Sequence, residues 1–394
     1  MENIMSGEIS LLPHQGNAQV RLLGSDDIWL ESLAVDQLVQ VAGLPGLRFG
    51  FGMPDLHPGI SQPIGAAFIS ENCLYPHLVG SDIGCGMGLW DLSVNVSKIK
   101  LDRWAKKLQG LDDELPARNN SGESPNRLGT IGGGNHFAEF QRVQEVYHPE
   151  IFSSAGLNLQ SVVLLVHSGS RGLGQQVLQA WAKEHGAKAA TGEPLTAYLC
   201  EHNKAVAWAK LNRRRIAERF CEALGIGANI LLDICHNSVV KLRGQELREL
   251  EGLGNREFSR NKGSDFWLHR KGASPTSEGL VMIPGSRGSL SYLVRPNNDK
   301  ALAEAGFSLA HGAGRKWKRS ECAGRLKNHY SAESLLTTRV GSRVICANRR
   351  LIYEEAPQAY KNIDSVVEAM EATHVIDIVA AFRPVLTYKT RKKS

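Results

Sequence analysis

Asp82-Ile-Gly-Cys-Gly-Met87 sets a carboxylate and a thiol three positions apart on a backbone that two glycines keep tight. Histidines recur in marked surroundings: Asn135-His136, His167-Ser168-Gly169, His236-Asn237 and His311-Gly312-Ala313-Gly314-Arg315. Soft and borderline divalent metals take thiolate and imidazole, and a carboxylate completes the charge. Asp82, Cys85, His136, His167 and His236 are therefore a chemically coherent ligand set. Five donors exceed one tetrahedral site; with Cys85 as a bridge they would serve two ions roughly 3.5–4 Å apart, the spacing that clamps phosphoryl transfer. A lone histidine beside glycine is more often structural than ligating. It is the joint pattern that points to an enzyme with a metal centre, and on donor softness alone that metal would be zinc.

His311 stands apart from the other imidazoles because an arginine follows four positions on, with further basic residues after it. An imidazole nitrogen can attack phosphorus and carry a covalent intermediate. Metal ligand, general acid and structural residue are the open alternatives. Two glycine-rich stretches, Gly129-Thr-Ile-Gly-Gly-Gly134 and Ile283-Pro-Gly-Ser-Arg-Gly288, would let backbone N–H groups approach phosphate oxygens, although plain turns look the same. Neither is followed by the Gly-Lys-Ser/Thr of a Walker loop. Arg171, Arg315 and Lys389 are candidate phosphate partners.

The elements that must position these groups are partly visible. Apolar runs at 162–166, 230–235 and 280–283 predict strands, and His167 and His236 directly follow the first two, so extended segments would carry imidazoles to the rim of a sheet. Helical periodicity marks 175–184 and 205–224. In the latter Ala207, Leu211, Ile216 and Phe220 form the apolar face, with Lys210, Arg213, Arg214 and Arg219 turned elsewhere. A third helix is predicted over 364–382, capped by Asp364 or Ser365, with Val367, Met370, His374 and Ile378 on one stripe and His374 as a core or boundary residue. The polar stretches 116–125 and 252–263 read as exposed loops or lids. Helices and strands mix without regular alternation or repeat, which argues against a TIM barrel or solenoid and for an α+β fold.

A chain of 394 residues with 42% apolar content buries a substantial core. The special histidines run from 136 to 311 without an intervening linker, so one domain over 1–394 is expected. No apolar run is long enough to span a bilayer, and the N-terminus lacks a basic head and apolar signal core; a cytoplasmic protein is the default. Seven cysteines without a Cys-x-x-Cys pair suit neither a disulfide framework nor a zinc ribbon. The net charge of +6 favours polyanions, while the basic clusters at 213–215, 315–319 and 389–393 each read first as solvated faces.

In order along the chain come Met53-Pro-Asp-Leu-His57, Asp82-Ile-Gly-Cys-Gly-Met87, Gly132-Gly-Gly-Asn-His-Phe137, His167-Ser-Gly-Ser-Arg-Gly172 and His236-Asn237. His269-Arg-Lys-Gly-Ala273, Ile283-Pro-Gly-Ser286, His311-Gly-Ala-Gly-Arg315 and Lys389 complete the series. It closely resembles the RtcB family of RNA ligases over nearly the whole chain. The resemblance implies a single large mixed-sheet domain with surrounding helices and a central metal and nucleotide cleft. It also implies GTP- and manganese-dependent joining of RNA ends bearing a 3′-phosphate or 2′,3′-cyclic phosphate to 5′-hydroxyl ends, in tRNA splicing or RNA repair. On that likeness His311 becomes guanylylated. Asp82, Cys85 and His136 hold one manganese, and Cys85, His167 and His236 the second. Asn135, His136, Phe137, Ala138, Glu139, His236, Asn237, Pro284, Gly285, Ser286, Arg287, Ser291, Gly312, Ala313, Gly314 and Lys389 contact the guanylate. Arg287 stands where the family usually has Met, and Trp317-Lys318 where it has Met-Ser, departures that imply a divergent paralogue with a narrower repair role. A dinuclear phosphodiesterase or cyclic phosphatase acting on RNA ends would use the same ligands without a histidine nucleophile, and a non-catalytic RNA-binding paralogue would keep only the fold.

Overall fold

A computed structural model describes residues 7–13, 16–111, 128–254 and 263–390. The predicted loop at 116–125 lies outside the described residues, as does 255–262 of the second predicted loop. The chain opens with β1 (Gly7–Leu12), β2 (Gln19–Ser25), β3 (Leu47–His57) and β4 (Ile64–Glu71). It continues through β5 (Gly86–Asn95), β6 (Phe137–Val146), β7 (Ser161–Ser168), β8 (Ala228–Cys235), β9 (Asn237–Lys241) and β10 (Phe266–Lys271). Then follow β11 (Ala273–Pro275), β12 (Val281–Pro284), β13 (Ser291–Pro296), β14 (Ser308–Ala310), β15 (Arg343–Cys346) and β16 (Ile376–Thr390). One sheet runs β1-β2-β3-β4-β10-β9; the second runs β12-β13-β16-β6-β7-β5-β8 with β15 beside β16; β11 pairs with β14. Antiparallel pairs dominate, with parallel β2–β3 and β15–β16 making the sheets mixed, in an α+β fold.

The strand β7 shows why the second sheet forms. Its Val-Val-Leu-Leu-Val run is apolar on both faces, and the period of two sends alternate side chains to opposite sides. Val162, Leu164 and Val166 pack with Phe140, Phe220 and Tyr388, while Val163 and Leu165 pack with Met87, Leu89 and Phe382. Each such fully buried side chain contributes about 1.5–3 kcal/mol relative to exposure. The long β16 bends through register shifts beside Ala381 and Pro384, the latter where proline offers no N–H to the ladder.

The predicted strands at 162–166, 230–235 and 280–283 fall within β7, β8 and β12, and the 175–184 helix within Leu173–His185. Two helical expectations need correction. Helix Gly192–Leu224 is 33 residues long, and its buried stripe is Ala205, Ala209, Arg213, Ile216, Ala217 and Phe220. Leu211, 51% exposed, lies off that stripe, as does exposed Ala207, whereas Arg213 and Arg219 are buried, so 213–215 is not simply a solvated basic face. The predicted helix over 364–382 spans only Ile363–Ala372, capped by Asn362 instead of Asp364 or Ser365. Exposed His374 takes a left-handed φ of 58°, and Val375 N–H closes back on Met370 O, a helix-ending turn. The β-branched run after it enters β16, because Val367, Met370, His374 and Ile378 fit a helical stripe only by ignoring strand propensity downstream. Among the described residues no helix is long and apolar enough to cross a membrane.

Candidate metal centre and adjoining cleft

Four adjacent strands, β6-β7-β5-β8, pair antiparallel, so the start of β6, the end of β7, the start of β5 and the end of β8 share one edge. His136 precedes β6, His167 lies near the end of β7, Cys85 precedes β5 and His236 follows β8. The alternation of strand direction therefore gathers four ligand-type side chains at one rim. Cys85 Sγ lies 3.3 Å from His136 Nε2 and 3.2 Å from His167 Nε2, and these three buried residues form a candidate metal-binding cluster. Asp82 Oδ2 approaches His136 Nε2 at 3.0 Å on one flank. On the other flank the His236 ring stands 5.1 Å from that of His167, and its buried Nδ1 has no partner among the described residues. A sulfur amid imidazole nitrogens, a carboxylate beside them and an orphaned ring nitrogen fit a divalent cation.

Local backbone explains the fit. A Cβ at Gly169 would come within 2.1 Å of Asp82 Oδ1, so glycine there lets the loop after β7 close on the carboxylate. His136 Nδ1 faces Ile131 O at 3.1 Å, an arrangement that leaves Nε2 toward Cys85. Burial raises the Cys85 thiol well above its ordinary range, and Asp82 adds to this. Burial, then neighbouring imidazoles, holds His167 well below the usual histidine value; burial and His311 do the same to His236. Neutral imidazole is the ligating form, and a bound cation would draw the proton from sulfur.

The imidazole row continues to His311, whose ring centre is 4.8 Å from that of His236. His311 follows β14, and β11, its partner strand, is tied to the metal edge through Ala273 N–H donating to His236 O. Asp55, fully buried near the end of β3, accepts from His311 Nδ1 at 2.6 Å and from its backbone N–H at 3.2 Å. This contact turns Nδ1 toward Asp55 and leaves Nε2 aimed away from it. At Gly314, φ +68°, a Cβ would meet Asp55 O at 2.3 Å, so the loop lies against Asp55 only because no side chain intervenes. Lys361 Nζ donates to Pro54 O and Leu56 O, fixing the same turn. His57 packs flat against His311 at 6.4 Å.

Beside this row opens a cleft of about 890 Å³. It is lined by Asp82, Cys85, His167 and His236, by Asn135, Phe137, Glu139 and Asn237, by Pro284, Gly285, Ser286 and Arg287, and by His311, Gly312, Ala313, Gly314 and Lys389. Asn237 braces two loops, donating to Asp82 O and accepting from Gly272 N–H. Glu139 is buried, accepts from Gln141 Nε2 at 2.7 Å and from Thr387 Oγ1, and burial pushes its carboxyl up to about 7. Ser291 joins this network through Gln141, which donates to its hydroxyl at 2.8 Å. Ala138 differs from the expectation: its side chain packs inward with Phe140 and Tyr388, as strand alternation requires for the residue between Phe137 and Glu139. Lys389 is buried 6.0 Å from the Phe137 ring centre and pairs with Glu355 at 3.4 Å. Burial pushes Glu355 up, but Lys389, Arg315, Arg319 and the Tyr360 hydroxyl outweigh it and hold the carboxyl at about 2. Arg315, a predicted phosphate partner, is committed to Glu355, Tyr360, Glu354 O and Cys322. Arg171 bonds Thr130. Asp55, Glu355 and Lys361 were not singled out from sequence; Asp55 stands inside a quoted motif at a strand end, whereas Glu355 has no local signal.

A thiol–imidazole cluster that could hold a metal ion, beside a carboxylate-oriented histidine and opening on a cleft of nucleotide size, has the composition of an enzyme active site. The model of the tRNA-splicing ligase RtcB family matches residues 37–124 and 107–390. The chain is 46% identical to the RNA-splicing ligase RtcB2 of Escherichia coli, over 93% of this chain and 94% of that one. It is 28% identical to the tRNA-splicing ligase RtcB of Archaeoglobus fulgidus over 90% of each, and 28% to the RNA-splicing ligase RtcB of Mycobacterium bovis over 88% and 98%. The chain is an enzyme of the RtcB ligase family.

Proposed function

We propose that this chain, acting as one domain over residues 1–394, joins RNA ends bearing a 3′-phosphate to 5′-hydroxyl ends, using GTP and manganese. The Asp55–His311 pair abutting the His236 imidazole supports this reading, because an imidazole oriented by a buried carboxylate stands beside the candidate metal centre. His311 Nε2 attacks the α-phosphorus of GTP, forming the N–P bond as pyrophosphate leaves. Asp55 holds the Nδ1 proton throughout and stabilises the charge that develops on the ring. A 3′-phosphate oxygen of the RNA then takes GMP from His311, and the 5′-hydroxyl attacks the activated 3′-phosphorus, releasing GMP. A 2′,3′-cyclic phosphate is first opened by water. Manganese, held by Asp82, Cys85 and His136 and by Cys85, His167 and His236, would neutralise crowded phosphate charge.

Asn135, Phe137, Glu139, Asn237, Ser286, Gly312, Ala313 and Lys389 are the cleft residues we assign to the guanylate. The cytoplasm suits this chemistry, because a reducing compartment keeps the Cys85 thiol unoxidised and free to ligate a metal. Arg287 and Trp317-Lys318 favour a specialised role in repairing cleaved RNA over general tRNA splicing. Incubating the protein with manganese and α-labelled GTP should give an acid-labile, alkali-stable adduct that His311→Ala removes together with ligation. Unlabelled wild-type protein that still hydrolyses cyclic-phosphate ends would make the chain a phosphodiesterase instead.

A further inference from the structure

Trp317 brings a flat ring to the cleft in the midst of positive charge. It is half-buried and lines the cavity, next in sequence to exposed Lys316, Lys318 and Arg319, which line it too. Lys316 Nζ lies 5.4 Å and the Arg325 guanidinium 5.1 Å from the centre of the indole. Glu321 holds Arg325 at 3.0 Å, whereas the exposed Lys316 ammonium has no carboxylate partner among the described residues and can swing off the ring. The backbone at the ring is fixed. The N–H groups of Lys316 and Trp317 both donate to Ala359 O, and Trp317 O accepts from Arg315 Nε at 3.2 Å. The indole also packs on a small core that includes Leu326, Leu335, Ile352 and Tyr353. It is therefore anchored before any ligand arrives.

We propose that Trp317 is the platform on which an unpaired base near the RNA end stacks, an inference that rests on the ligase reading above. Nucleic acid alternates charged phosphates with flat bases, and Lys316-Trp317-Lys318 alternates cations with a flat ring. Cations that track a backbone beside an aromatic face are the means of holding single strands, and the stack tolerates any sequence because every base has a π-face. An anchored indole loses little freedom when a base lies on it, so more of the contact is kept as affinity. A base inside a duplex already has neighbours on its faces. The platform therefore favours breaks in unpaired RNA over breaks held within a helix.

Joining kinetics of the full-length protein with manganese and GTP test this, using synthetic RNAs that carry one abasic site at successive positions beside each end. With the wild type, one abasic position should raise KM about tenfold, within the range for a stacked base. Trp317→Met should raise KM for intact RNA by a similar factor and make that same abasic position neutral, the non-additivity expected of a direct contact. Trp317→Phe keeps an aromatic face, should restore most of the loss and guards against a folding defect in the first variant, with melting curves recorded for both. Holding the ends in a nicked duplex should erase the difference between wild type and Trp317→Met. Abasic effects that persist in folded Trp317→Met, or a loss confined to the yield of GTP adduct, overturn the assignment while leaving the ligase reading intact. Wild-type protein that joins none of these RNAs would sink that reading and this inference together.

Discussion

Glu139 is a buried cleft carboxyl whose ionisation falls near neutral pH. Burial moves its carboxyl up to about 7, although Thr387, Gln141 and Lys389 all favour the charged form. In the proposed nucleotide site its carboxylate would accept from the two N–H groups on guanine's Watson–Crick edge, and its protonated form would offer a competing proton. The sign follows directly: affinity for guanosine rises as pH increases through about 7 and levels off above, since the folded protein must first release that proton. Titrations from about pH 6 to about pH 8 should show close to a tenfold change in the dissociation constant, and Glu139→Gln should bind weakly with no such slope. A wild-type curve flat across this range would remove Glu139 from the base contact. His311 was conspicuous in sequence through the glycines that follow it, but the carboxylate that orients it was not. Asp55 lies 256 positions away in the chain, and only the packing of β3 against the loop after β14 joins them.

The edge of β6-β7-β5-β8 is the element on which the site depends, and Arg213 staples it. This guanidinium, fully buried in helix Gly192–Leu224, donates to Gly84 O at 2.7 Å, to Ser168 O at 2.8 Å and to Asp233 at 2.8 Å. One cation thereby ties together the loop before Cys85, the strand end carrying His167 and the strand leading to His236. Arg213→Met would strand the Asp233 charge and free two carbonyls, costing about 3–5 kcal/mol of stability. Arg213→Lys should fold better yet still weaken manganese binding about 10–100-fold, read by direct metal titration, as for other residues that orient ligands. Undiminished affinity in Arg213→Lys would show that the strands hold their register without the staple. Half of this edge was legible: apolar runs ending in His167 and His236 announced strands with imidazoles at their tips. That Cys85 and His136 stand at strand beginnings, and that antiparallel order brings beginnings and endings together, is a property of pairing that no local window contains. The same locality extended the 363–372 helix into β16 and left Arg213 on a solvated face.

Across the whole molecule, residues from both sheets and from the β11–β14 pair meet at one cleft. The ordered motifs made this legible because each falls where a chain segment reaches that cleft, even though their mutual contacts span nearly the entire sequence. The surface around the opening is positive. Lys316, Lys318 and Arg319 are exposed and line the cleft, and Trp317 lies among them under Lys316 at 5.4 Å and Arg325 at 5.1 Å. An RNA end entering here lays phosphates across three solvent-exposed cations, and its binding should depend on salt with a log–log slope of roughly −2, at about 0.7 per contact for single strands. Raising salt threefold would then weaken RNA binding about tenfold. The proposed GTP adduct at His311 would form against buried groups that salt screens far less, so its rate should change little over the same interval. Charge-removing substitutions at Lys316, Lys318 and Arg319 should each flatten the RNA slope by about 0.7 without altering adduct yield. RNA affinity with an unchanged slope in all three would place the RNA path on another face of the protein.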